Sequence, residues 1–383
     1  MNSTIDQALL RRKIMITCGT GGVGKTTLSA AIAMRGALLG KKTVVITIDP
    51  AKRLATSLGL QSLSNTPTDL TPHLKTAYEK IQTQHPHLLG GVPEIKGSLH
   101  AIVPDTRQTF EDFVHQLAPS PNAAQRVIHN PIFQIFAKEF SGTNEYMALE
   151  RLLALYELNQ YDCIILDTPP TRNTLAFLDA PRRLNQFFEE KLIRWLVLPS
   201  NQLLATGMKK ALGVLEGLTG SGFMTNLFEF ASALFKVQTN FTANLKRITH
   251  LLESESVGFL LVTAPTPETG PELNHFIQVL EEHHFHFEGI AINRSLEYLT
   301  GADTPPPSWP VSDQASLHQA HAIITALQNR EKQMIEEFQK VTHPTLMKNP
   351  DLVYAKLPEL ARDVHSVEDL LHVAMALDAR SQL

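Results

Sequence analysis

The chain has 383 residues, 43% of them hydrophobic, and its 34 basic and 38 acidic residues give a net charge of −4. That length fits one large α/β domain with an inserted subdomain better than one small core. Because no basic block stands out, nucleic acid is excluded as an expected partner. The two isolated cysteines, Cys18 and Cys163, provide neither a CxxC metal site nor a disulfide framework.

The N-terminal residues do not resemble a signal peptide, because Met1–Leu10 includes several polar side chains and a β-rich run follows almost at once. The uncharged, largely apolar stretch Trp195–Met208 is too short to cross a bilayer and contains a proline. We therefore expect a soluble, cytoplasmic protein.

Strands and helices alternate from the start of the chain. A β-rich run over Lys13–Cys18 leads through a glycine-rich loop into a helical pattern over Lys25–Leu39, and a strand over Thr43–Ile48 follows. Strands without a polar face are typical of a parallel sheet covered on both sides. The pattern predicts an α/β fold with a doubly wound, mostly parallel sheet. Further strands are predicted over Tyr161–Leu166, Val257–Val262, Glu288–Ile292 and Leu352–Lys356.

The strand pattern disappears in two stretches, from about Leu99 to Ser141 and from about Arg182 to His250. Both look helical, and we interpret them as one helical subdomain inserted into the core. The segment Gln61–Gly97, rich in Pro, Thr and His, is interpreted as an irregular connection. The predicted core therefore comprises residues 1–98, 142–181 and 251–383, and the predicted subdomain comprises residues 99–141 and 182–250.

Residues 19–26 match G-x-x-x-x-G-K-T at the point where a strand ends and a helix begins. Glycines let backbone N–H groups approach phosphates, and the helix N-terminus completes an anion-binding nest. Lys25 would place its charge against the β- and γ-phosphates, and the Thr26 hydroxyl would bind Mg²⁺. We predict a P-loop NTPase core that uses ATP and Mg²⁺. The predicted nucleotide contacts in the loop are Gly21, Gly22, Val23, Gly24, Lys25, Thr26 and Thr27.

Two carboxylates follow apolar strands and are candidate catalytic residues together with Lys25. Asp167 ends the run that begins at Tyr161, and in P-loop enzymes such a residue holds the metal directly or through water. Asp49 ends the second strand and is a candidate to orient the attacking water or the metal shell. Taken alone, Asp167 would more simply cap a strand; its pairing with the phosphate loop favours the metal role.

Several motifs resemble those of one family. The run Gly21–Thr27 resembles the deviant Walker A loop, and Asp49–Ala51 resembles the start of switch I in the arsenical-pump and tail-anchored-protein-targeting ATPases. Asp167–Leu175 is similar to their switch II. The run Gly289–Asn293 resembles the strand whose terminal Asn reads adenine, and Leu357–Glu359 resembles the later adenine-side loop.

The resemblance implies roles for single residues and for the whole chain. Family members work as ATP-gated dimers whose inserted helices couple the nucleotide state to a client or a membrane partner. By resemblance, Lys25 would bind phosphate and Thr26 would bind magnesium. Asp49 would activate water, and Asp167 would tie switch II to the metal site. Asn293 would form a hydrogen bond with adenine, with Pro358 packed nearby.

The chain departs from the family pattern at three places. The signature lysine after the first loop glycine is replaced by Thr20, Lys52-Arg53 follow Asp-Pro-Ala, and the zinc-binding CxxC and the arsenical enzymes' cysteine cluster are missing. The charge that Thr20 lacks would come from Lys52, Arg53 or Arg172, or from a lysine-bearing partner chain in a heterodimer.

Three functions stay open at this point. The first is an ATPase switch coupled to a hydrophobic client or membrane partner. The second is the driving subunit of an anion or arsenite efflux pump. The third is a weakly catalytic regulatory half of a heterodimer with a related ATPase. The apolar helical face over Leu227–Phe235 is interpreted either as a client groove or as ordinary core.

Overall fold

The computed structural model describes residues 4–47, 55, 65–84, 94–118, 120–131, 143–168, 242–266, 269–296, 311–341, 351–360 and 363–377. The chain divides into two compact units. The first comprises Met1–Val103, Leu158–Leu175 and Glu253–Leu383, and the second comprises Pro104–Glu157 and Ala176–Leu252.

The first unit is built on an eight-stranded sheet in the order β3-β4-β2-β5-β1-β6-β7-β8. Neighbouring strands run parallel, except that β3 and β4 are antiparallel. This confirms the predicted doubly wound, mostly parallel α/β fold. The strands are β1 Ile14–Cys18, β2 Lys42–Thr47, β3 Thr68–Asp69, β4 Ser98–Ile102, β5 Cys163–Asp167, β6 Val257–Thr263, β7 Phe287–Ser295 and β8 Val353–Pro358.

Ten helices lie in the described part of the chain. In the first unit they are α1 Ile5–Arg11, α2 Lys25–Leu38, α3 Thr71–Gln84, α8 Thr269–Glu282, α9 Val311–Val341 and α10 Val367–Ala376. In the second unit they are α4 Thr106–Leu117, α5 Pro121–Ile128, α6 Thr143–Leu158, whose last residue belongs to the first unit, and α7 over residues 242–252.

The centre of the sheet is buried on both faces. Every residue of β1, β5 and β6 is buried, as parallel strands flanked by helices require. The parallel register places Thr17 of β1 and Thr47 of β2 beside Asp167 of β5. The carboxyl ends of these three strands therefore meet at one edge of the sheet, next to the loop that follows β1.

The helix after that loop, α2, is buried almost all round. Eleven of its residues are buried, among them Leu28, Ile32 and Met34, as expected for a helix in the interior of a domain. Near its C-terminal end, Arg35 donates two hydrogen bonds of 2.6 Å to the carboxylate of Asp6 in α1. These contacts join the C-terminal end of α2 to α1.

The interpretation of residues 61–97 as an irregular connection is wrong for α3 and β3. The pattern of α3 is weak because only four of its residues are buried, namely Leu74, Ala77, Tyr78 and Ile81, although their spacing is that of one helical face. The prediction that no strand follows Leu99 is also wrong, because β4 covers Ser98–Ile102. This strand was overlooked because His100 interrupts its apolar run.

The unit boundaries also differ from the predicted domain boundaries. The core continues to Val103 instead of 98, and the chain from 143 to Glu157 belongs to the second unit instead of the core. The reason for the second difference is that α6 makes a buried polar cluster with α7: Asn244 donates to the carboxylate of Glu150, which also accepts a 3.4 Å bond from Tyr146. The boundary predicted at 181–182 lies outside the described residues.

Candidate functional site

The loop between β1 and α2 has the backbone conformation of an anion nest. Gly24, the residue immediately before α2, has a left-handed φ of +87°, which glycine adopts without steric cost. Gly24 has no side chain to cap the helix, and the first turn of α2 contains no acidic residue. Because the first N–H groups of a helix have no partner within it, they are available to an anion at the loop.

Lys25 adds a charge to this nest. Its side chain is only 5% exposed, and its Nζ donates a 2.7 Å hydrogen bond to the backbone carbonyl of Thr20. The ammonium group is therefore folded back over the loop rather than extended into solvent. Of the other loop residues predicted to contact the nucleotide, Val23 is buried, whereas Gly21 and Gly22 are exposed.

Asp167 lies at the end of β5 with no solvent exposure. Its two carboxylate oxygens accept hydrogen bonds from the hydroxyls of Thr47, at 2.7 Å, and Ser29, at 3.3 Å. Burial raises its pKa to about 6, and this rise is opposed by hydrogen bonds from Thr47 and Thr26, by the nearby charge of Lys25 and by Ser29. The carboxylate is thus in contact with the first turn of α2.

A set of small hydroxyl side chains supports Asp167 and was missed by the sequence analysis. The hydroxyls of Thr17 and Ser29 are 2.6 Å apart, and the Ser29 hydroxyl also lies 2.7 Å from the carbonyl of Lys25, so that this carbonyl and Asp167 share its single proton. Thr168 donates to the carbonyl of Thr17 at 2.8 Å. The only signal in the sequence is that Thr17, Thr47 and Thr168 interrupt or follow apolar strand runs close to their carboxyl ends.

Asn293 lies against the phosphate loop. Its Nδ2 donates a 2.9 Å hydrogen bond to the carbonyl of Val23, and a Cβ on Gly24 would be 2.2 Å from the same nitrogen. The β7–β8 register shifts between Ile292 and Ser295, and such an irregularity re-aims a side chain next to a site. Pro358, at the end of β8, pairs in register with Ser295. The structure therefore places Asn293 and Pro358 on neighbouring strand ends.

The residues of the loop fit a magnesium–triphosphate group. The Thr26 hydroxyl and the Asp167 carboxylate are hard oxygen donors, which Mg²⁺ prefers, and they are hydrogen-bonded to each other. A Cβ added to Gly22 would meet nothing within 4 Å among the described residues, so there is free space beside this exposed part of the loop.

Several residues predicted to be functional lie outside the described part of the chain. They are Asp49, Lys52, Arg53, Arg172 and the Leu227–Phe235 face, and their roles stay predictions. Within the residues that the structure covers, no helix combines the length and the apolar character that a membrane crossing requires.

Comparison with known proteins identifies the family. Residues 12–303 match the family model described as anion-transporting ATPase. A putative arsenical pump-driving ATPase 2 from Aquifex aeolicus is 30% identical over 174 residues, which are 45% of this chain and 50% of that protein. The ATPase ASNA1 homolog from Trypanosoma cruzi is 27% identical over 72% of each chain. ATPase GET3 from Podospora anserina is 25% identical over 79% of this chain and 78% of its own.

The chain spans half the length of the Aquifex protein but about three quarters of the other two relatives. The family match covers both the loop after β1 and the strand that carries Asn293. The chain therefore belongs to the anion-transporting ATPase family, and the enzyme class that this membership gives it is ATPase.

Proposed function

We propose that the chain binds and hydrolyses Mg-ATP in the cytoplasm, and that the nucleotide state switches a dimer that acts on a hydrophobic client or a membrane partner. The observation that carries the proposal is the contact between Asp167 and the first turn of α2, which brings a carboxylate, the Thr26 hydroxyl and Lys25 to one point. The relatives' printed names, all of which contain the word ATPase, support the hydrolytic part.

Phosphate binding follows from the loop's own groups. The N–H groups of the first turn of α2 donate to the phosphate oxygens, and Lys25 contributes a compact positive charge against the β- and γ-phosphates. To reach them, its Nζ exchanges the carbonyl of Thr20 for phosphate oxygens. The bond to Thr20 has a charged donor and a neutral acceptor, whereas a phosphate oxygen is itself charged, so the exchange adds the attraction between opposite charges.

The metal would be held by Thr26 directly and by Asp167 through water. A bound Mg²⁺ would supply the positive charge that stabilises the negative charge developing on the phosphate oxygens. Asp167 has to be ionised to serve, and Lys25 and the hydroxyls of Thr47 and Ser29 favour that form. Asp49 would orient the attacking water, and Asn293 and Pro358 would contact the adenine base.

The position of Asp167 suggests how hydrolysis is coupled to a change of shape. Asp167 is the last residue of β5, and the segment after it resembles switch II. Thr168, the first residue of that segment, is bonded to β1 through Thr17. Asp167, whose carboxylate would respond to the metal, is thus directly followed in the chain by the switch II-like segment that would move.

Two other functions have specific support. The Aquifex relative's name describes a pump-driving ATPase, and the family is described as anion-transporting, which supports a driving subunit of an anion or arsenite efflux pump. Thr20 in place of the signature lysine supports a weakly catalytic half of a heterodimer with a lysine-bearing paralogue. The alternative source of charge is a residue of this chain, Lys52, Arg53 or Arg172.

The test measures ATP turnover against protein concentration, with Mg²⁺ and with excess chelator, for the purified chain and for Asp49→Asn. We expect turnover that requires Mg²⁺ and rises more than linearly with protein concentration. We expect Asp49→Asn to bind ATP normally but to hydrolyse it at least about 100-fold more slowly. Unchanged turnover in Asp49→Asn would show that this carboxylate is structural.

Three additions to the purified chain separate the three functions. Turnover that appears only when a lysine-bearing paralogue is added supports the heterodimer. Stimulation by vesicles that contain a reconstituted anion pump supports the driving subunit. ATP-dependent retention of an apolar helical peptide, lost with ADP, supports the client-coupled switch. Absence of ATP binding by the chain at any Mg²⁺ concentration would overturn the proposal as a whole.

A further inference from the structure

A buried carboxylate on α9 holds the end of β7. Glu331 is only 3% exposed, and its Oε1 accepts a 2.5 Å hydrogen bond from the hydroxyl of Ser295. Its Oε2 accepts a 2.8 Å bond from the backbone N–H of Leu296. One helical turn earlier on α9, Gln328 donates a 2.8 Å bond to the carbonyl of Leu296. Two side chains of one helix face thus bind both the N–H and the carbonyl of a single residue.

This arrangement is more than packing, because a carboxylate is costly to bury unless its oxygens are hydrogen-bonded. Apolar side chains would join α9 to the sheet without that cost. A carboxylate that receives one hydroxyl and one backbone N–H instead defines the position of the bonded backbone, since charge-assisted hydrogen bonds are short and directional. Glu331 therefore specifies the path of the chain at Ser295 and Leu296.

The backbone that Glu331 holds is irregular and strained. Arg294 has a left-handed φ of +62°, which is uncommon outside glycine, and the pairing of β7 with β8 shifts register between Ile292 and Ser295. Such a conformation persists only where surrounding contacts impose it, and it is concentrated at ligand sites. Asn293 lies within this irregular stretch, immediately before the strained residue.

The same stretch is tied to the phosphate loop and to the end of β8. Asn293 donates to the carbonyl of Val23, as described above. The carbonyl of Ser295 accepts a 3.0 Å hydrogen bond from the N–H of Glu359, next to Pro358. Ser295 is therefore bonded to Glu331 through its side chain and to the β8 end through its backbone, two residues away from Asn293.

We infer that Glu331 is a positioning residue for the nucleotide base: through Ser295 and Leu296 it fixes Asn293 and Pro358 in the geometry that receives adenine. The inference rests on the proposed binding of ATP and deepens it. Phosphate contacts come from the loop after β1, which meets this stretch at the hydrogen bond from Asn293 to Val23. Loss of Glu331 therefore weakens binding of the base more than it weakens binding of the phosphates.

The experiment compares two ligands that share phosphates but differ in the base. Dissociation constants for ATP and for inorganic tripolyphosphate are measured by calorimetry with Mg²⁺, for the parent chain, Glu331→Gln and Glu336→Gln. Glu336→Gln is the matched control, because it makes the same charge change at an exposed position of the same helix. We expect Glu331→Gln to weaken ATP binding about tenfold, the equivalent of one good hydrogen bond, and to weaken tripolyphosphate binding by a clearly smaller factor.

A second variant, Ser295→Ala, removes one hydroxyl and leaves the carboxylate in place. It should lower the preference for ATP in the same direction by a smaller factor. In the double variant the two effects should not add, because Glu331→Gln weakens the same hydrogen bond that Ser295→Ala removes. If Glu331→Gln does not fold, the inference is tested with Ser295→Ala alone, by the ratio of its dissociation constants for ATP and tripolyphosphate.

The outcomes separate this inference from the proposed function. A parent chain that binds tripolyphosphate as tightly as ATP would contradict base recognition, and with it the adenine-side part of the proposed function. A parent chain that prefers ATP while Glu331→Gln keeps the full preference would overturn the inference alone. Equal weakening of both ligands would also overturn it, because Glu331 would then support the fold without selecting for the base.

Discussion

The side-chain amide of Asn293 donates a 2.9 Å hydrogen bond to the backbone carbonyl of Val23, a residue 270 positions earlier in the chain. One end of β7 is thereby joined to the loop that begins α2. If the proposed function holds, a change at the phosphates is transmitted directly to the residue that contacts the base.

Gly24 is required at this junction for two reasons. Its φ is +87°, and a Cβ would be 2.2 Å from the Nδ2 of Asn293. Gly24→Ala should therefore strain the backbone, which lowers the free energy of unfolding by about 2 kcal/mol or more. It should also displace Asn293, which lowers the affinity for ATP at least tenfold. Gly22→Ala is the matched control, because its φ of +82° carries similar strain while a Cβ there meets nothing within 4 Å.

Calorimetry with ATP and denaturant unfolding would check both variants. We expect Gly22→Ala to lose about 1 kcal/mol of stability and to lose less ATP affinity than Gly24→Ala. Equal effects of the two variants would mean that the contact with Asn293 contributes nothing.

Lys25→Ala removes the cation that is folded over the loop. Several phosphate oxygens would lose their nearest positive charge, and we expect a loss of about 2–4 kcal/mol in triphosphate binding, measured by calorimetry. The control is Lys80→Ala, which removes an exposed lysine paired with Glu368 at 3.0 Å. It should leave ATP affinity unchanged. Unaltered ATP affinity in Lys25→Ala would overturn the assignment of the phosphate loop.

Both cysteines should be unreactive in the folded chain. Cys18 and Cys163 have no solvent exposure, and burial raises the pKa of each thiol to about 12. At pH 8 very little thiolate is present, and the sulfur is not accessible to reagent. We expect no reaction with a disulfide reagent under native conditions and reaction of two thiols per chain in denaturant. Rapid native reaction would mean that β1 or β5 opens locally.

The buried carboxyl of Glu150 should make the stability depend on pH. Burial raises its pKa, although Asn244 and Tyr146 favour the ionised form. A raised pKa means that the folded chain holds this proton more tightly than the unfolded chain, whose value is near 4.5. Its contribution to stability is therefore fully present below that pH and is lost as pH rises through the folded value.

Glu150→Gln removes this titration. Relative to the parent, the variant should gain stability progressively as pH rises above 4.5, and the difference should level off above the folded pKa. The control is Glu336→Gln, which makes the same charge change at an exposed position outside this cluster. Denaturant unfolding of the full chain from pH 4 to pH 8 measures all three. A parent and a Glu150→Gln variant with parallel pH profiles would contradict the prediction.

Some features were determined by the sequence alone. The phosphate loop and the strands β1, β2, β5 and β6 are recognisable because glycine positions and unbroken apolar runs are local signals. Four residues of α3 and the interrupted apolar run of β4 were not recognised, since a half-buried helix and a strand that contains His100 carry weaker patterns. The strand-end carboxylate Asp167 was identified as a candidate because it follows an apolar run directly.

Only the tertiary structure decided how distant residues meet. The parallel register of β2 and β5 brings Thr47 to the carboxylate of Asp167, and the packing of α2 against β5 brings Ser29 there; neither hydroxyl belongs to a motif. Likewise, the bond between Glu331 and Ser295 joins residues 36 positions apart, on a helix and a strand end that no local pattern relates. The physical reason is that a hydrogen bond depends on position in space, whereas periodicity and spacing report only which residues share a face of the same helix or strand.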